Sequence, residues 1–265
     1  MSLVFAAICP HPPLLIPSIG KENIKKIQKS KDALEKLEED LYLSRPEIIF
    51  VISPHSNQHP DVFTLNMSEK FVSDLRNFGD LSTKLEFNGE TQIPFDIRNQ
   101  AYSQDSKLKI VIENEPKLDH GTVIPLYYLT KHLPTIKILP ISLSGLDAKS
   151  HLDFGSILKE QIFKSNKRIA VIASGDLSHC LTNDAPAGFN KNGAIFDSKV
   201  QEFFISHNTA GFLTMEQKII NDAAECGYRS FLILMGILRD VNYRYESYAY
   251  ESPFGIGYLT ANFVI

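Results

Sequence analysis

Ile169-Ala170-Val171-Ile172-Ala173-Ser174-Gly175-Asp176-Leu177-Ser178-His179 carries the logic of the whole chain. Five apolar residues run without interruption, then small and polar residues turn the chain and deliver a histidine. A short apolar run bounded by turn residues reads as a strand buried on both faces, as in parallel sheets. The pattern recurs three times upstream. Leu3 to Ile8 precedes Cys9-Pro10-His11-Pro12-Pro13, and Ile48 to Ile52 precedes Ser53-Pro54-His55-Ser56. Leu108 to Ile112 leads toward Asp119-His120-Gly121. In an open α/β sheet the carboxyl ends of parallel strands share one rim, and ligands bind there. Histidines far apart in sequence are thereby expected at one point, which suggests a metal, acid–base chemistry, or both.

Between these runs the spacing predicts helices. A long amphipathic helix is expected over 21–43, with others over 94–102, 123–132, 150–163, 193–206 and 221–238. A further apolar strand is expected over 136–143, and a terminal strand pair over 243–250 and 257–265. The stretch 57–106 reads as an insertion with short strands near 62–66 and 84–87, covering one side of the rim. Strand–helix alternation points to an α/β fold. The expected architecture is a single three-layer domain over 1–265, with a central, mostly parallel sheet flanked by helices and a C-terminal antiparallel strand pair.

Bulk properties narrow the function classes. The chain has 265 residues, long enough to bury a large core without staples. Its formal net charge of −4 lacks the basic footprint of a nucleic-acid binder. No apolar run approaches a membrane span, and the N-terminus does not read as a signal peptide. The three cysteines, Cys9, Cys180 and Cys226, are odd in number and widely spaced. That usage fits a reducing cytoplasm rather than a disulfide framework.

Among the eight histidines, His59, His132, His151 and His207 carry no local signal beyond an exposed or structural role. His11, His55, His120 and His179 stand apart, because each follows a strand and is flanked by Pro, Gly or Ser. Two neutral imidazoles and one carboxylate make the open-faced site of non-haem Fe(II) enzymes. The carboxylate candidate is Glu225, in Ala223-Ala224-Glu225-Cys226-Gly227-Tyr228-Arg229. The same Glu225 would serve equally to complement a helix N-terminus. Cys226 competes for the place. As a thiolate it would favour zinc or copper; as a thiol it is a small buried hydrophobe. Asp176 and Ser178 either orient His179 or cap its turn, and Asp119 stands in the same relation to His120. Arg229, Tyr228, Tyr248 and Phe254 are candidates to line a pocket. A Gly-rich phosphate loop, paired CxxC and a G-x-S-x-G elbow are missing.

Taken in order, the Pro-His-Pro-Pro start, Ser-Pro-His, Asp-His-Gly, Gly-Asp-Leu-Ser-His and the closing Ser-Pro-Phe-Gly-Ile-Gly-Tyr span the chain. In these motifs the chain resembles the class III extradiol ring-cleavage dioxygenases of the LigB type. The resemblance is nearest to the stand-alone branch that includes AmmeMemoRadiSam system protein B and the Memo proteins. It implies an Fe(II)-dependent dioxygenase that opens a catechol- or aminophenol-type aromatic with O2. His11, His55 and Glu225 would match the metal ligands, His179 the catalytic acid–base, and His120 a second active-site histidine that binds substrate or oxygen. Memo-type relatives carry a cysteine at the third ligand position, and here Cys226 adjoins Glu225. Two other functions therefore stand beside the first: a Memo-like metal-binding redox or scaffold protein, and a zinc-dependent hydrolase. The expected partners are a small aromatic diol and O2, not nucleic acid or membrane, and self-association into a homo-oligomer stays open.

Overall fold

The computed structural model describes residues 2–103 and 107–265. The strands are β1 (Leu3–Cys9), β2 (Ile48–Ser53), β3 (Val62–Asn66), β4 (Lys70–Ser73), β5 (Glu86–Gly89), β6 (Lys109–Glu113), β7 (Lys117–Leu118), β8 (Lys137–Ser142), β9 (Ile169–Ser174), β10 (Arg244–Glu251) and β11 (Tyr258–Val264). The α-helices are α1 (Pro17–Gly20), α2 (Gln28–Ser44), α3 (Ile93–Ser103), α4 (His120–Leu129), α5 (Ala148–Lys164), α6 (Lys191–Ile205), α7 (Thr209–Thr214), α8 (Gln217–Ala223) and α9 (Tyr228–Leu238). All strands join one sheet in the order β10-β11-β1-β9-β2-β8-β5-β4-β7, with β3 on β8 and β6 on β3. The centre, β1-β9-β2-β8, is parallel, and β10-β11 is the expected antiparallel pair.

Alternation along the central strands explains the layers. Ile48, Phe50 and Ile52 of β2 pack on one face with α5, α9 and α6 residues such as Phe154, Phe231 and Phe196. Ile49 and Val51 pack on the other with Leu34, Leu37 and Leu41 of α2 and Ile124 of α4. A strand buried on both faces must be apolar at every position, which is why the runs are unbroken. Register then levels the strand ends: Cys9 pairs with Ser174, Ile52 with Ala173, and Ser53 with Ser142. His11 and His55 each lie two residues beyond that line, and Gly175 to His179 continue from β9.

Some expectations change in the structure. The helix expected over 21–43 begins as a 3-10 segment, Lys21–Ile27, entered through a positive φ at Lys21, and only then becomes α2. The strand before the Asp-His-Gly turn, β6, pairs among the described residues with β3 alone; β7 intervenes, so His120 reaches the rim as the first residue of α4. The inserted stretch also contains β4, and its expected boundary at Ser106 lies outside the described residues. Helix α7 was not anticipated either. The helix expected over 221–238 is two helices, broken where Ala224 adopts φ +51. The break carries Glu225 and Cys226 and turns them toward different surroundings.

Candidate metal centre and active site

Three chain segments meet at the level rim. His55 Nε2 lies 3.0 Å from His11 Nε2, and Cys226 Sγ lies 3.4 Å from the same His11 atom. These donor atoms fall within 4.8 Å of one another. Asp176, His179 and Cys226 form an overlapping group of the same tightness. His120 stacks on His55 with centroids 4.1 Å apart and meets His11 edge-on at 5.4 Å. The Phe78 ring, from the inserted stretch, lies 4.9 Å from His120.

Hydrogen bonds decide which ring nitrogens face inward. The Ser174 hydroxyl donates to Gly121 O at 2.5 Å, so toward His11 Nδ1, 2.8 Å away, it can only accept. His11 therefore carries its proton on Nδ1 and a lone pair on Nε2. His179 Nδ1 lies 2.9 Å from the Leu177 carbonyl, which can only accept, so Nε2 of His179 also carries the lone pair. Ser53 ties His55 to the next motif: its hydroxyl donates to Asp119 Oδ1 at 2.5 Å and accepts the His55 N–H at 3.2 Å. Asp119 in turn caps α4 by accepting from Thr122 N–H.

Burial lowers the affinity of these imidazoles for protons. It pushes His11 well below the usual histidine range, with the nearby His55, His120 and His179 adding to the effect. Burial also brings His120 down to about 4 and lowers His55 and His179. Neutral imidazoles are the form that binds a metal. Burial raises Asp176 to about 7 and drives the Cys226 thiol well above its ordinary value. A cation held at the His11–His55–Cys226 centre would reverse that last shift, because a coordinating thiol deprotonates. Two imidazole Nε2 atoms and one thiol make a donor set that fits a borderline or soft divalent metal.

Glu225 does not join this cluster. Its Oε2 accepts the Tyr228 N–H at 2.6 Å, capping the first turn of α9. Burial raises its carboxyl to about 7. Cys226, one residue on, accepts the Asp176 N–H at 3.3 Å, and Gly227 N–H donates to Asp176 O at 3.0 Å. The two loops zip together so closely that a Cβ on Gly175 would lie 2.3 Å from Gly227 Cα. From the sequence, Asp176 is expected either to orient His179 or to cap its turn. Here its Oδ1 accepts the His11 N–H at 2.9 Å, and the residue is buried within the cluster. The roles of Ser174, Ser53 and Phe78 were not anticipated, because each depends on a partner far away in the chain.

Two cavities flank the centre. One, of about 480 Å³, is lined by His55, His120, Phe78, Lys117 and the carboxamides of Asn57 and Asn66. The other, of about 390 Å³, is lined by Cys226, Glu225, Tyr228, Arg229 and apolar Leu143 and Ile220. Arg229 and Tyr228 thus sit where expected. Tyr248 does not: its hydroxyl bonds Asp40, and Lys36 lies over its ring. Phe254 packs with the α2 face of the core, under Lys26.

A family model described as the catalytic LigB subunit of aromatic ring-opening dioxygenase matches residues 5–261. The chain belongs to the LigB family. A Clostridium acetobutylicum protein named CA_C1420 is 28 % identical over 265 residues, covering 97 % of this chain and 57 % of the relative. A 2,3-dihydroxyphenylpropionate/2,3-dihydroxicinnamic acid 1,2-dioxygenase of Dechloromonas aromatica is 26 % identical over 156 residues, covering 56 % of this chain and 47 % of the relative. The chain spans about half the length of these curated relatives. The crystal structure of the uncharacterized Escherichia coli protein JW3007 superposes with a TM-score of 0.68 at 16 % identity, covering 98 % of this chain and 99 % of that one. That likeness shows the α/β fold. Among the described residues, no helix is long and apolar enough to cross a membrane.

Proposed function

We propose that residues 1–265 act as one catalytic domain of a metal-dependent dioxygenase in a reducing cytoplasm, opening a catechol- or aminophenol-type aromatic ring with O2. The observation that carries this reading is the gathering of His11, His55, His120 and His179 at one rim, with two Nε2 atoms 3.0 Å apart, in a LigB chain. His11, His55 and Cys226 would hold the metal, Fe(II) in this reading. When bound, the metal supplies Lewis acidity and a template for the substrate hydroxyls and O2. His179 takes a hydroxyl proton at Nε2, because its Nδ1 is committed to Leu177 O, and returns it later in the reaction. Its lowered pKa keeps it an unprotonated base at neutral pH. Neutral His120 offers one N–H to an oxygen on which negative charge develops.

The test is oxygen uptake by protein loaded anaerobically with Fe(II) and mixed with a panel of catechols. Stoichiometric uptake with a yellow ring-opened product is expected. His179→Ala is expected to keep its metal and lose roughly 10²–10⁴-fold in turnover. The Cys226 thiol supports a second reading, since a thiolate suits zinc or copper better than oxygen-activating iron. Iron-loaded protein without oxygen uptake would point to a Memo-like metal-binding redox or scaffold role. Zinc-loaded protein that hydrolyses esters without O2 would point to a hydrolase.

A further inference from the structure

The closing Ser-Pro-Phe-Gly-Ile-Gly-Tyr motif and a buried aspartate find a common role in the loop that presents His179. Leu177 N–H donates to Gly257 O at 2.8 Å, Gly257 N–H to Ser178 O at 2.8 Å, and Leu181 N–H to Gly255 O at 3.0 Å. The motif is thus a short strip of backbone paired with the histidine loop on both sides of His179. Other loop donors find partners outside that strip, and the His179 N–H itself donates to Ala223 O at 2.9 Å. The Ser178 N–H is taken by Asp197 Oδ1 at 2.9 Å, from helix α6. The other oxygen, Oδ2, accepts from the Tyr250 hydroxyl at 2.7 Å, so β10 fixes the carboxylate from behind. Asp197 is 2 % exposed, and a Cβ on Gly257 would lie 2.2 Å from its Oδ2. The second glycine of the motif is therefore the space in which this carboxylate sits.

We infer that Asp197, held by Tyr250 and seated against Gly257, is a positioning residue that fixes the main chain beside His179 and so aims its Nε2. A buried N–H needs an acceptor, and Asp197 supplies the one next to the proposed base. The inference rests on the proposed role of His179, but not on the identity of the metal. Asp197 makes no contact with His11, His55 or Cys226 in its hydrogen bonding, so its loss separates from metal binding.

The test compares Asp197→Ala, Asp197→Asn and Tyr250→Phe in full-length protein. Asp197→Ala is expected to lower kcat by roughly 10–100-fold while KM and Zn²⁺ affinity stay within about threefold. Asn retains an acceptor for the Ser178 N–H, and the Tyr250 hydroxyl can turn to accept from its amide. Asp197→Asn is therefore expected to recover most of kcat. Unchanged kcat in Asp197→Ala, or a parallel fall of kcat and Zn²⁺ affinity, would overturn the inference. If Asp197→Ala does not fold, Tyr250→Phe decides, with a smaller kcat loss and unchanged Zn²⁺ affinity expected; unchanged kcat there overturns it. If the wild-type protein turns over no catechol, the dioxygenase reading alone fails. Amide exchange of the zinc-loaded protein then decides: Ser178 and His179 should exchange faster in Tyr250→Phe while Ile52 does not, and equal rates would overturn the positioning role.

Discussion

At the residue scale, one position separates Glu225 from Cys226, and that step decides which of the two faces the rim histidines. Ala224 in the left-handed region ends α8, so the next two side chains leave the backbone in different directions. Glu225 turns back to cap α9, and Cys226 turns to His11. Metal analysis after loading and desalting should therefore show Cys226→Ser losing its metal and Glu225→Gln keeping it. The reverse result would return the carboxylate to the ligand set. Ser174 has a subtler part, since its hydroxyl holds the proton of His11 on Nδ1. Ser174→Ala should weaken Zn²⁺ binding by about 10–100-fold, the usual loss when the partner of a metal-bound histidine is removed. Competition with a chromogenic chelator reads that directly. The histidines that gather at the rim were legible in sequence because Pro, Gly and Ser around each one announce a turn after a strand. The choice between Glu225 and Cys226 was not, because both sit in the same short loop and only its dihedral angles tell them apart.

At the scale of elements, α5 shows how a histidine without a sequence signal becomes structural. His151 lies one turn into the helix, fully buried beside the Phe63 ring. Its Nδ1 donates to Asp147 O at 2.8 Å and its Nε2 accepts the Ser144 N–H at 3.4 Å. Burial first, and the Arg229 charge in support, lower its pKa from 6.5 to about 4, against the opposing pull of Asp147. The folded protein thus prefers neutral His151, so its contribution is full above pH 6.5 and is lost as pH falls toward 4. Between pH 7 and 4.5 this one group should cost about 2 kcal/mol of stability. Urea unfolding at both pH values should show a flatter response in His151→Gln, which keeps a donor and an acceptor; equal losses would sink the assignment. Most elements were visible beforehand, because period-2 and helical patterns are local. The break between α8 and α9 was hidden, because Ala is an ordinary helix residue and nothing in its neighbours demands a positive φ.

At the scale of the whole molecule, the donors of the proposed metal centre come from early and late parts of the chain and from a strand between them. His11 follows β1, His55 follows β2, and Cys226 precedes α9. An unfolded chain holds no such cluster, so metal binding there would add to folding stability. Zn²⁺ at a hundredfold excess over its Kd should stabilise the fold by about 2.7 kcal/mol. For a chain of this size, that is a rise in melting temperature of roughly 5–10 °C. Differential scanning calorimetry should show the rise in wild-type protein and its absence in His55→Ala; an equal rise in both would place the metal elsewhere.

The amino-acid sequence by itself determined the α/β class, the buried parallel centre and the terminal strand pair. Each follows from which residues must leave water, and that is written locally as periodicity. It also determined the histidine motifs, since turn chemistry is local too. Only the tertiary structure decided that β6 stands apart from the central strands, that Cys226 rather than Glu225 faces His11, and that Asp197 reaches Ser178. Those outcomes depend on register and on backbone angles at single residues. They bring together groups up to 215 positions apart, a separation no local pattern records.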